Sequence, residues 1–283
     1  MNIAVAGYNG FIGKNFVSDR KGDRIIKLPR ALLYGGIPDL IEVISEADIV
    51  VNLAGSPINT RWTRRNKRVI EESRFGVNTR LVKAINQLEK KPVHFITASA
   101  IGIYQSGGIH SESSGIVAEN YLASVVKVWE QPLSSLHKGV TATVLRIGIV
   151  LGRDGGMLPI MVRVSKMGVL PVMGSGNQIY SFIHMDDLIA AIRYIINERK
   201  EGVFHLTAPN PVDNATFTRS LAKNRGVKII FRMPEFVLKA ALGKSHIMVT
   251  EGPRVLPERL LRDEFEFRFP EIDTALQNLI QKY

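Results

Sequence analysis

Ile3-Ala-Val-Ala-Gly7-Tyr-Asn-Gly10-Phe-Ile-Gly13 is the stretch that decides the fold. An apolar run of strand length leads straight into glycines at every third position, and a helical pattern begins at once behind them. Gly7 permits a tight turn, and Gly10 lets a backbone approach a pyrophosphate. Gly13 allows a helix to lie close to the strand, and the first turn of that helix offers unpaired N–H groups to an anion. Outward from this start, further apolar runs at 25–28, 49–53, 93–98, 143–147 and 203–206 read as strands. They alternate with helical patterns at 11–20, 37–46, 64–89, 119–137, 157–166, 187–197 and 215–223. Apolar strands separated by helices imply a parallel sheet covered on both faces, with ligands at the carboxyl ends of its strands.

The fold class is therefore α/β: a Rossmann-type doubly wound parallel sheet with a small C-terminal α+β cap. The chain from 28 to 49 has room for one helix and a vestigial strand near 32–34. The expected division is 1–229 for the dinucleotide-binding domain and 230–283 for the C-terminal one. That second part carries helical patterns at 234–242 and 272–282. Between them Phe265-Glu-Phe-Arg-Phe-Pro270 alternates apolar with charged residues, as one packed face of a strand or hairpin would.

Composition narrows the function. The 283 residues are 45% hydrophobic and 22% charged, as in ordinary globular chains. There is no cysteine, which removes disulfides, thiolate metal sites and Cys nucleophiles. The six histidines lack the i, i+4 spacing of a helical metal site, so no metal is expected. The start lacks a secretory pattern, and the longest apolar run, 37–50, is interrupted by Asp and Glu, so a cytoplasmic, non-membrane protein is expected. A net charge of +11 suits an anionic ligand. Its densest stretch, Arg61-Trp-Thr-Arg-Arg-Asn-Lys-Arg68, opens a helical pattern and reads as a solvated helix face rather than a nucleic-acid surface.

The end of the second strand bears on the cofactor. An NAD site wants a carboxylate there for the ribose hydroxyls. This chain has Lys27-Leu-Pro-Arg30 instead, and Arg30 suits a 2′-phosphate, which favours NADP(H) over NAD(H).

The Gly-x-x-Gly-x-x-Gly spacing resembles that of extended short-chain dehydrogenases. Asn52-Leu-Ala-Gly55, Thr97-Ala-Ser-Ala-Ile-Gly-Ile-Tyr104, Leu145-Arg-Ile-Gly148-Ile-Val-Leu-Gly152, Gly174-Ser-Gly-Asn-Gln178 and Phe182-Ile-His-Met-Asp-Asp-Leu188 are similar to that group's successive motifs. Leu53-Ala-Gly-Ser-Pro-Ile58 with Arg61-Trp62, Asp154-Gly-Gly156, Thr207-Ala-Pro-Asn-Pro-Val212 and Pro253-Arg-Val-Leu-Pro-Glu-Arg-Leu-Leu261 resemble one branch of the NAD-dependent epimerase/dehydratase family, the SulA-like one with a C-terminal domain of unknown function (DUF1731-like). The resemblance spans essentially the whole chain. It departs at Tyr8-Asn9, where Gly-Thr is usual, and at Gln105, where glycine commonly follows the tyrosine. It implies that Tyr8, Asn9, Phe11, Ile12, Leu53, Ala54, Gly55 and Gly148 join Gly7, Gly10, Gly13 and Arg30 around a cofactor. It also puts Gln178 in the substrate loop, and it implies a homodimer through the helices at 64–89 and 119–137.

In active relatives a Tyr-x-x-x-Lys pair moves the proton, its i, i+4 spacing setting the ammonium beside the phenol. Ser99 fits the serine that orients substrate. Tyr121 opens the expected helix, but Val125 stands four residues on, and Lys127 lies about 120° away around the helix. The pair is absent. Tyr104, and after it Tyr121, are the candidate replacement donors, each with the alternative of a packed tyrosine whose hydroxyl meets a backbone group. The resemblance gives His184 a structural turn before a helix start capped by Asp186 and Asp187. Arg146 would satisfy local carbonyls, and Trp62 with Arg61 would wall the site or anchor a loop. Two functions remain: an NADP(H)-dependent oxidoreductase or nucleoside-diphosphate-sugar epimerase acting on a small polar substrate, and an NADP(H)-binding sensor or interaction protein without turnover.

Overall fold

The computed structural model describes residues 1–115 and 117–281. Six parallel strands form the central sheet: β1 (Asn2–Ala6), β2 (Arg24–Leu28), β3 (Ile49–Asn52), β4 (His94–Ala100), β5 (Thr141–Ile147) and β6 (Gly202–Leu206). Their spatial order is β6-β5-β4-β3-β1-β2. The order reverses at β1, and a crevice opens beyond the carboxyl ends there. Successive residues of β1 feed opposite faces, as the two-residue strand period requires. Ile3 and Val5 pack with Phe16 of α1 (Phe11–Asp19) and with Leu188 and Ile192 of the helix Met185–Asn197. Ala4 and Ala6 pack with Leu40 of α3 (Ile37–Ile44) and Leu81 of α5 (Val77–Gln87).

Several local expectations are corrected. Residues 32–34 are no strand but lie in the short helix α2 (Arg30–Tyr34), started by Pro29 in extended backbone and held by buried Leu33. The helix expected over 64–89 is split into α4 (Arg64–Glu71) and α5 by a π-helical turn, Glu72–Gly76, that turns both Ser73 and Arg74 inward. The helix expected over 119–137 is α6 (Tyr121–Glu130), capped by the Asn120 side chain, followed by a 3-10 turn at Gln131–Ser135 that carries Pro132.

The phenylalanine stretch is neither strand nor hairpin. Its backbone N–H groups at Arg268 and Phe269 donate to the Asp187 carboxylate, at 2.9 and 3.0 Å, instead of to a partner strand. Phe265 and Phe267 pack onto the core of the main sheet, and Phe269 stacks on His184. The last helix runs Ile272–Ile280, and its expected end at Lys282 lies outside the described residues. Its Ala275, Leu276 and Leu279 share one core with Leu158, Phe182 and Phe217. The strand Ile229–Met233 pairs in parallel with Val169–Met173. Among the described residues no helix is long and apolar enough to cross a membrane.

Candidate functional site

The glycine turn has the geometry its spacing asks for. Gly7 has φ +78°, and a Cβ there would lie 2.6 Å from the backbone of Leu53 and Ala54. The Gly10 N–H donates to the Gly7 carbonyl at 2.9 Å, closing the turn. A Cβ on Gly13 would overlap that same carbonyl, so only glycine lets α1 sit this close to β1. Gly10 caps α1 with no side-chain acceptor, so its first-turn N–H groups stay available to a ligand anion.

Above this turn lies a groove of about 260 Å³. Gly7, Tyr8, Asn9 and Gly10 form its floor, Leu53, Ala54 and Gly55 one wall, and Arg30 the far end. The sequence reading missed Leu28, Leu33, Tyr34, Ser56, Ser73 and Val77, which complete the lining. Leu28 and Arg30 bracket the end of β2, the signal that could have found Leu33 and Tyr34. Arg30 lies over the Tyr34 ring at 5.3 Å, and Lys27 over Tyr8 at 5.7 Å. No lining residue is a carboxylate. Burial raises the Tyr34 phenol above its ordinary pKa, so it stays protonated.

A buried polar chain holds the Leu53–Gly55 wall. Asn52 accepts the Ala54 N–H (3.0 Å) and donates to Asn78 of α5 (2.7 Å). Thr97 donates to that same Asn78 oxygen (3.0 Å), while the Asn78 amide donates to the Trp129 carbonyl of α6 (2.9 Å). Ser56 N–H donates to Ser73 Oγ at 2.9 Å.

Other expected residues lie elsewhere. The Phe11 side chain points away from the groove. A Cβ on Gly152, Gly155 or Gly156 would run into its ring, which explains the Asp154-Gly-Gly156 motif as a loop folded around Phe11. Ile12 packs into the sheet core. Gly148 is pressed between Ser181 and Thr207, where a side chain would overlap the Ser181 carbonyl, so its lack of a Cβ serves strand packing. Gln178 is buried, its amide donating to the carbonyls of Met173 (2.9 Å) and Val249 (2.7 Å), and it presents nothing to the groove. Helix capping also differs: His184 Nδ1 itself accepts the Asp186 N–H, because Asp187 is committed to the C-terminal tail. Trp62 anchors its loop through Ile58 O, and Arg61 donates to the carbonyls of Ala240 and Ala241.

The three candidate catalytic hydroxyls do not converge. Ser99, 3% exposed at the end of β4, donates to Glu130 Oε1 at 2.6 Å. Arg146 makes a bidentate pair with Glu130 (2.9 and 2.7 Å) rather than meeting carbonyls, and its third arm donates to the Tyr104 hydroxyl (2.6 Å). That hydroxyl is 2.8 Å from His205 Nε2, whose Nδ1 lies 2.9 Å from the Leu256 carbonyl. A carbonyl only accepts, so Nδ1 carries the proton and Tyr104 donates to Nε2. Burial raises the Tyr104 phenol, and burial holds His205 down at about 4. Tyr121 is turned toward α4. Its ring packs on Trp62 (4.8 Å), its hydroxyl faces Lys67 O, and burial followed by Glu71 pushes it up to about 12. Leu122 is the first-turn residue facing the loop after β4, since a Cβ on Gly102 would meet its Cβ at 3.4 Å.

A doubly wound sheet with a glycine-floored groove at its switch point defines a dinucleotide-binding protein of the Rossmann type. Residues 3–206 match the "NAD dependent epimerase/dehydratase family", and the chain belongs to it. Residues 233–279 match "Domain of unknown function (DUF1731)". The chain is 33% identical to the "Epimerase family protein SDR39U1 homolog, chloroplastic" of Arabidopsis thaliana over 99% of its own length and 87% of that protein's. It is 31% identical to the "Epimerase family protein YfhF" of Bacillus subtilis over 99% and 98%. The crystal structure of human epimerase family protein SDR39U1 (isoform 2) with NADPH superposes with a TM-score of 0.91 at 26% identity, covering 100% of both chains. A dTDP-4-dehydrorhamnose reductase from Clostridium acetobutylicum, TM-score 0.81 at 14% identity, shares the fold.

Proposed function

We propose that the chain binds NADP(H) in the groove between the glycine turn and Arg30 and acts as an oxidoreductase or epimerase of its family on a small polar substrate. The observation that carries the cofactor preference is electrostatic: Arg30 closes the groove where an NAD site would place a carboxylate, and no acid lines it. The NADPH in the human relative supports the same reading. The glycine floor and the α1 N-terminus receive the pyrophosphate, and Leu28, Leu33 and Tyr34 flank the adenine half. A bound nicotinamide supplies the hydride chemistry, and the Leu53–Gly55 wall, braced by Asn52 and Asn78, orients it.

A second reading, binding without turnover, draws on one specific arrangement. Ser99 and Tyr104 donate their protons to partners inside the protein, and the α6 face that would carry a lysine presents Val125. The test is a titration of the purified protein with NADPH and NADH, with Arg30→Ala beside it. The expected result is NADPH binding weakened about 10- to 100-fold in the variant, the loss of a charge-assisted phosphate contact, with NADH unchanged. Equal affinity of wild type and variant for NADPH refutes the assignment of Arg30. An NADPH-oxidation screen over a broad carbonyl panel, repeated with Ser99→Ala, separates the two readings: a turnover abolished by the variant at intact NADPH affinity rejects the sensor.

A further inference from the structure

Arg74 is a cation that nothing described so far uses. It sits in the π-helical turn between α4 and α5, only 9% exposed, and no carboxylate among the described residues lies within salt-bridge distance of it. One arm, Nη1, donates to Ile70 O (3.2 Å) and Ser73 Oγ (3.4 Å). Nε and Nη2 make no hydrogen bond among the described residues. The guanidinium stacks over the Trp129 ring at 4.9 Å, and Nη2 lies 3.4 Å from where Gly55 would carry a Cβ. Burial depresses its pKa, so its charge is held against a desolvation penalty without a compensating anion.

Its position is fixed by the packing of α4 on α6. On α6 the residue four beyond Tyr121 is Val125, which packs against Ile70 on α4. Arg74 is one turn beyond Ile70, and Trp129, under its guanidinium, is one turn beyond Val125. A cation is thus supplied from the helix facing α6, beside the groove wall at Gly55. The π turn buries two consecutive residues, so that Ser73 lines the groove while Arg74 lies against Gly55.

We propose that Arg74 is a ligand-binding residue that takes an anionic group of the bound dinucleotide, its pyrophosphate, across the side-chain-free face of Gly55. This rests on the cofactor reading above. It predicts that Arg74 reads the part of NADPH that adenosine 2′-monophosphate, which has no 5′-phosphate, lacks. In Arg74→Met, NADPH affinity falls about 10- to 100-fold, while adenosine 2′-monophosphate affinity and the melting temperature of the unliganded protein stay near wild type. Arg74→Lys recovers part of the loss. Gly55→Ala leaves Arg74 in place but puts a methyl in its path, and gives the same selective loss should Arg74→Met fail to fold. Unchanged NADPH affinity in Arg74→Met overturns the proposal, and so does an equal loss for both ligands, which marks Arg74 as packing alone. Wild type that binds neither ligand rejects the cofactor reading itself and the proposal with it. Wild-type binding with an unaffected Arg74→Met rejects the proposal only.

Discussion

Lowering the pH from 7 to 5 should destabilise the protein through His205. The unfolded imidazole titrates near 6.5, while burial holds the native one at about 4, with Arg146 opposing its protonation. Protonating Nε2 would also end the hydrogen bond that Tyr104 donates to it, leaving Ser111 O as that hydroxyl's acceptor. The unfolded state therefore binds the extra proton across this window. Stability contributed by the neutral form is present above the unfolded value and lost as pH falls toward the native one. Between pH 7 and 5 the unfolded histidine gains most of a proton and the native one almost none, a difference of about 1.4 pH units or roughly 2 kcal/mol. Glu112 beside His205 is raised by burial and works in the opposite direction, so the wild-type profile alone does not isolate the histidine. Urea unfolding of wild type and His205→Gln at both pH values does. The variant starts less stable at pH 7, yet loses about 2 kcal/mol less on acidification. Parallel pH profiles for the two proteins would refute the assignment of a neutral native His205.

Three further outcomes follow from the geometry. Gly7→Ala combines a left-handed φ with contact against Leu53 and Ala54, so a thermal melt should show a loss of about 1–3 kcal/mol, with NADPH binding abolished in titration. Asp187→Ala leaves two backbone N–H groups of the tail unsatisfied, and hydrogen exchange at Arg268 and Phe269 should accelerate with a stability loss of about 1–3 kcal/mol. Glu130→Gln removes the charge that holds Arg146 and Ser99 together, lowering stability by about 2–3 kcal/mol in denaturant melts, an effect absent in Lys127→Gln on the same helix.

What the sequence makes legible is set by local periodicity and by backbone need. The six strands and the glycine turn follow from apolar runs and from positions that tolerate no Cβ, so the groove floor is readable from residues 3–13. Arg30 is readable because β2 ends two residues before it. The partners of the catalytic candidates are not readable. Glu130, Arg146 and His205 sit on different elements, and only the parallel register that sets Ser99 beside Arg146 brings them together. Tyr121 shows how small the error is: one position of helix, about 100°, separates a residue facing β4 from one facing α4, and Leu122 holds the first place. The phenylalanine alternation looks like a strand because it does have one packed face. Its backbone partner, the Asp187 carboxylate, lies on a helix about eighty residues earlier and leaves no local mark.

The same network bears on how a proton could move if turnover exists. Tyr104 cannot give up its proton to substrate without leaving Nε2 of His205 unpaired in a buried site, and its phenol is raised rather than lowered. Ser99 donates its proton to Glu130, and both Glu130 oxygens are taken up by the Arg146 guanidinium. Tyr121 is pushed to about 12 and pointed at α4. A group able to deliver a proton must therefore come with the substrate or with solvent, or the reaction must need none from the protein. Substrates that carry a hydroxyl beside the carbonyl to be reduced bring a donor of their own. A carbonyl panel weighted toward hydroxy-ketones should accordingly give turnover before a panel of simple aldehydes does.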